Sequence, residues 1–319
     1  MKKLLVAALL AAALLLLLPA AGVDAKTRAN LFLASKQSAQ NFFDDDYLKC
    51  RSGVGLPCTP ENSLMLRARR LDVSLALSFL QKEAGPNPWL ANAFKRAGNE
   101  LSATATAWAA LPIGYCYLDG TRFSPAELDL YCLVAKETGN KEMTKKVSAD
   151  LKEYGWASPE SADAFRKPMD ESWCIRLLAA NNYPVEVVEF QARRNLDEVK
   201  TFLELPDSSG VSESRKTGLL AHWLLLDEEL RELGYATDEE ENAWAREKIK
   251  ELTLSLESNP ETDCVALLAL ARNGEAPDWL VKRVLEQQDA DGAWRLDKNV
   301  YAITTITCLR ALNAVEMAG

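Results

Sequence analysis

Apolar residues recur at i, i+3 and i+4 along almost the whole chain after residue 28, and the period-2 alternation of a half-buried strand is nearly absent. A chain patterned this way buries its apolar surface by packing helix against helix. Proline and glycine punctuate the pattern. Pro60, Pro88, Pro125, Pro159, Pro184, Pro260 and Pro277 each stand just before a periodic segment, where a missing N–H costs nothing. Gly85, Gly139, Gly155, Gly234 and Gly274 stand at the opposite ends, where a left-handed residue closes a helix. Ser124-Pro125-Ala126-Glu127 and Thr237-Asp238-Glu239-Glu240 have the form of capping boxes. Together these marks predict about twelve helices, near 28–46, 62–83, 88–110, 125–138, 142–154, 170–182, 184–204, 214–234, 238–257, 261–273, 277–289 and 301–316.

The helices alternate in character. Segment 214–234 is apolar nearly all round, through Leu219, Leu220, Ala221, Trp223, Leu224, Leu225 and Leu226, so it should be enclosed. Its successor opens with Asp238-Glu239-Glu240-Glu241 and keeps Trp244, Ile249 and Leu252 on one stripe, so its other side should face water. Segments 261–273 and 301–316 are again enclosed in character, whereas 277–289 has a polar face of Lys282, Arg283, Glu286 and Gln287. That order suits two helical layers. Inner helices would begin near 62, 125, 170, 214, 261 and 301, a spacing of roughly 40–60 residues that belongs to repeat architectures. The expected fold is all-α, an α/α toroid of about six helical hairpins, with an open α-superhelix as the alternative.

The N-terminus carries an address. Lys2 and Lys3 precede an Ala/Leu run from Leu4 to Leu18, Pro19 breaks it, and Val23-Asp24-Ala25 offers a small-x-small cleavage site. Residues 1–25 read as a secretory signal peptide and 26–319 as a single domain, secreted or periplasmic. No later stretch reads as a membrane span. The formal charge of −9, with no basic block, argues against nucleic acid and against an anionic membrane surface as partners. The oligomeric state is not written in the sequence.

All seven cysteines, Cys50, Cys58, Cys116, Cys132, Cys174, Cys264 and Cys308, would meet an oxidising compartment. Cys50 with Cys58, and Cys116 with Cys132, are the local disulfide candidates. Cys174, Cys264 and Cys308 sit in apolar helical runs and read equally well as buried thiols.

Near the C-terminus, Gln288-Asp289-Ala290-Asp291-Gly292-Ala293-Trp294 fits the pattern Q-x-x-D-G-x-W and leads into the apolar run from Tyr301. This resembles the QW repeat of the terpenoid cyclase and protein prenyltransferase superfamily, whose fold is the α/α toroid. The resemblance implies structural roles: Gln288 ends an outer helix, Gly292 turns the chain, and Trp294 packs against the neighbouring repeat. It does not bring the family's chemistry. Asp44-Asp45-Asp46 lacks the fourth position of the Asp-x-Asp-Asp acid motif and reads as a solvated acidic helix end. Prenyltransferases hold zinc through Asp, Cys and a late His, whereas Asp263 and Cys264 are adjacent here and no His follows His222. Neither a metal nor a cofactor is expected.

The sequence assigns no reaction. Secreted α/α toroids suggest carbohydrate chemistry, and a glycosidase needs two carboxylates flanking a cleft with aromatic platforms. Loops preceding inner helices would hold weak catalytic candidates in Asp170, Glu171 and Asp263, with Trp173, Glu213, Arg215 and Tyr301 as ligand-binding candidates. Acidic residues at helix N-termini also serve simply to offset the helix dipole. His222, the single histidine, reads either as a satisfied core residue or as one acid/base group facing a central cavity. The leading expectation is a binding protein whose concave face takes a ligand or a protein partner. A carbohydrate-active hydrolase or lyase is the alternative, and an isoprenoid cyclase follows behind it.

Overall fold

The computed structural model describes residues 24–36, 167–205, 212–298 and 300–318, together with Asp45, Cys132, Lys136, Lys141, Thr144 and Lys145; for 167–171 and 173 it describes the backbone alone. Among the described residues there are eight helices and no strand: α1 (Ala25–Lys36), α2 (Lys167–Ala180), α3 (Val185–Leu203), α4 (Glu213–Glu232), α5 (Glu239–Ser255), α6 (Pro260–Arg272), α7 (Asp278–Glu286) and α8 (Ala302–Ala318). The helices expected at 62–83, 88–110 and 142–154 lie outside them, apart from helical Thr144 and Lys145; within 125–138, Cys132 and Lys136 are helical.

The prolines and glycines act as read, but the cap of α5 is Asp238 and not the Thr237 hydroxyl that the capping-box form implied. Ser212 caps α4 by accepting the Arg215 amide, and Asp238 caps α5 by accepting those of Glu240 and Glu241. Asn259 caps α6, with Pro260 at its first turn. Gly234 and Gly274 take φ of 84° and 77° at the ends of α4 and α6, and the next amides fold back onto Leu230 and Leu270. Asn182, at φ 55°, does the same for α2, a stop no glycine marked.

Burial follows the expected alternation, except that Trp244, expected on the buried stripe of α5, is exposed and Ala245 takes its place. Helix α6 buries every residue from Thr262 to Ala271, and α4 buries most of its length. Helix α5 buries one stripe through Ala245, Ile249 and Leu252, and α7 buries Leu280 and Val284. The enclosed helices pack in the order α2, α4, α6, α8, while α3 touches α2 and α4, α5 touches α4 and α6, and α7 lies on α6. Ties between successive enclosed helices join residues 42 to 48 positions apart: Cys132–Cys174, Cys264–Cys308, Glu228–Arg272, Arg176 to the His222 carbonyl, and Ser214 to Thr262. One hairpin is therefore one repeat.

Two expectations about cysteine are overturned. Cys132 bonds Cys174 rather than Cys116, and Cys264 bonds Cys308, so three residues read as possible buried thiols are disulfide partners. Local spacing misled because each bond joins neighbouring helices one repeat apart. Cys50 and Cys58 lie outside the described residues. The two disulfides fit an oxidising, extracellular setting. No described helix is long and apolar enough to cross a membrane.

Of the helix expected over 28–46, residues up to Lys36 are helical, and the rest lies outside the described residues apart from Asp45. Asp45 is not its solvated acidic end. Its carboxylate is fully buried and accepts the amides of Tyr301 and Ala302 at 2.8 and 2.9 Å, capping α8 from 256 residues away. Helix α1 packs on the C-terminal region throughout. Lys26 pairs with Glu316, Phe32 meets Tyr301 edge-on at 5.3 Å, and Arg295 lies 5.0 Å over the Phe32 ring.

The turn after α7 supports that contact. Gln288 donates to the carbonyls of Gly292 and Ala25 at 3.0 and 2.8 Å. Gly292 has φ 97°, and a Cβ there would stand 2.5 Å from the Arg28 carbonyl oxygen. Only glycine fits on both counts. Trp294 is fully buried; its indole N–H donates to Val284 and its backbone exchanges hydrogen bonds with the Thr305 hydroxyl. Side chain and backbone together link α7, the turn and α8.

Candidate functional site

The enclosed helices are not wholly apolar. Charged groups interrupt their greasy runs, and several converge. Arg176, 3% exposed on α2, reaches the Glu229 carboxylate at 3.5 Å and donates to the His222 carbonyl at 3.0 Å. Lys136 meets the same carboxylate at 2.8 Å. Arg310 on α8 adds its field at both His222 and Glu229. Positions 222 and 229 are two helical turns apart on one face of α4, so a single stripe presents both to the basic groups.

The electrostatics follow from burial and sign. Burial pushes the Glu229 carboxyl up, but Arg176, Lys136 and Arg310 outweigh it and leave its pKa at about 2. Burial, reinforced by Arg176 and Arg310, pushes His222 down to about 3. The ring is thus neutral at any ordinary pH, and its Nδ1 is buried with no hydrogen-bond partner among the described residues. Three basic side chains thus act on one carboxylate. The arrangement holds and orients the Glu229 carboxylate. His222 and Glu229, both pushed well below neutrality, are poor proton-transfer groups there.

The residues expected from sequence are placed differently. Asp170, Glu171 and Trp173 lie on α2 rather than in a loop before it. Glu213 opens α4 and pairs with Lys216 at 2.8 Å, while the Arg215 side chain is exposed. Asp263 is fully buried in the first turn of α6. It accepts from Arg283 at 2.9 Å, from Gln287 at 2.5 Å and from the Asn259 amide at 3.2 Å, and Arg283 also donates to the carbonyls of Thr253 and Leu256. Burial raises its pKa, with Gln287 and Arg283 pulling back. Asp263 is therefore the knot that ties α5, α6 and α7. Tyr301 is buried against Phe32. His222 alone among these candidates joins the basic cluster.

Arg176, Glu229, Lys136 and Arg310 were not singled out in the sequence, although a signal was present. Cys174-Ile175-Arg176 and Cys308-Leu309-Arg310 repeat one pattern, a cysteine followed two positions later by arginine inside an apolar helix. In each case the cysteine bonds back to the preceding enclosed helix. Among the described residues no group of three His, Cys, Asp or Glu side chains is placed to hold a metal ion. Comparison with known protein families, curated proteins and solved structures finds no match to this chain.

Proposed function

We propose that this is an exported binding protein whose helical layers curl into an α/α toroid and whose concave face takes a polar ligand or a protein partner. The observation that carries the reading is the convergence of Arg176, Lys136 and Arg310, from three separate helical segments, on the face of α4 that holds Glu229 and His222. Curling is supported by Arg310. It acts on α4 from α8 although α6 stands between them in the packing order, which a flat layer would not favour. Contact of α1 with α8, at the far end of the chain, points the same way. Export is supported by the charged and apolar layout of residues 1–25 and by two disulfides.

Binding is favoured over glycoside or lyase chemistry by two features. Asp263, a candidate catalytic carboxylate, is fully buried and tied through Oδ2 to Arg283, Gln287 and the Asn259 amide, and His222 has too low a pKa to serve as a general base near neutrality. Calorimetric titration of the mature protein with phosphate, citrate and galacturonate tests the reading. At least one should bind, weaken as salt rises, and lose affinity on Arg310→Gln. Absence of binding, with turnover of a polysaccharide that disappears in Asp170→Asn or Asp263→Asn, would establish the hydrolytic alternative instead.

A further inference from the structure

Residues Asp24 and Ala25 belong to the folded domain. The Asp24 carboxylate accepts the Thr27 amide at 3.0 Å and the Thr27 hydroxyl at 2.6 Å, and its carbonyl accepts the Arg28 amide at 3.1 Å. That is a complete N-cap for α1. The Ala25 methyl packs on the core, and its carbonyl accepts the Gln288 side chain at 2.8 Å. Gln288 also holds the Gly292 turn on which α1 rests, so this bond ties the beginning of the domain to its last hairpin.

Cleavage after Ala25 would remove every one of these contacts. It would also place the new α-ammonium of Lys26 in the first turn of α1, at the positive end of the helix dipole. Three residues upstream, Ala20-Ala21-Gly22 supplies small residues at the positions a signal peptidase reads, directly before Val23.

We infer that export processing cuts the Gly22–Val23 bond, so that the mature chain begins at Val23 and keeps Asp24 as the cap of its first helix. The step is a hydrolysis by a signal peptidase: water adds across the peptide bond, Gly22 leaves as the carboxylate of the released leader, and Val23 becomes the new ammonium terminus. The inference rests on the export reading above and refines its position.

Expression of the full chain in a secreting bacterial host, followed by intact mass and N-terminal sequencing of the product, separates the two. A terminus at Val23 supports the inference. One at Lys26 overturns it while leaving export intact, and a chain that keeps Met1 and stays inside the cell overturns export itself. Stability gives a second reading. Mature forms starting at Val23 and at Lys26, released from cleavable fusions, should differ in Tm by about 2–4 °C in favour of the longer one. Equal Tm values would remove the physical basis of the inference.

Discussion

At the scale of single residues, the chain spends its unusual groups on joints. Gly292 occupies a backbone conformation costly to other residues and presses against the Arg28 carbonyl. Gly292→Ala therefore meets both backbone strain and a backbone clash, and should cost more than about 1 kcal/mol. A urea titration would measure it, with faster proteolysis of α1 as the companion sign. Asp45 shows how a residue type can be legible while its use is not. The acidic run read as a solvated helix end instead supplies a buried cap, for a helix start 256 residues away. Asp45→Ala leaves two buried amides at the head of α8 without acceptors and should lower stability by about 1–2 kcal/mol. If the denaturation midpoint does not move, the cap is energetically idle.

At the scale of elements, helix positions were readable because capping chemistry and apolar period act locally. Asp238, Asn259 and Pro260 start their helices and Gly234 and Gly274 stop theirs, each within a residue or two of expectation. Pairing between elements was not readable in the same way. Cys116 looked the natural partner of Cys132 because it is near in sequence, whereas the actual partner, Cys174, stands one repeat further on. Closing a loop of this length removes about 4 kcal/mol of unfolded-chain entropy in the loop-closure picture. Because both bonds span 42 to 44 residues, their contributions should be similar. The double variant Cys264→Ala/Cys308→Ala should thus lower the guanidinium midpoint about as much as Cys132→Ala/Cys174→Ala. A marked difference between them would mean that one bond is strained or that its helices hold together without it.

At the scale of the whole molecule, three titratable groups on α4, one buried and two partly buried, set opposing slopes of stability with pH. His222 falls from 6.5 to about 3 on folding, so its contribution is complete above 6.5 and is lost as pH drops towards 3. Glu229 falls from 4.5 to about 2, and its contribution is lost below 4.5. Glu228 runs the other way. Burial raises it from 4.5 to about 7 despite Arg272, so its contribution is complete below 4.5 and is lost as pH rises through 7. Between 4.5 and 6.5 the His222 and Glu228 slopes oppose each other, and below 4.5 only losses remain. Chemical denaturation from pH 3 to 8 should show a broad maximum in that window. Glu228→Gln should flatten its alkaline side, and His222→Asn should soften its acidic side. Unchanged profiles in both variants would mean that these groups are hydrated in the folded state.

The sequence by itself determined the helical class, the ends of the helices and which of them are enclosed, because periodicity and capping are settled by residues a few positions apart. Only the tertiary structure decided which cysteines bond, that Asp45 caps α8, that Asp263 is a knot rather than a free carboxylate, and that three distant cations share one carboxylate. Those outcomes depend on which helix faces which. That choice is made by packing complementary surfaces across a repeat of some forty residues, a length over which local propensity carries no information.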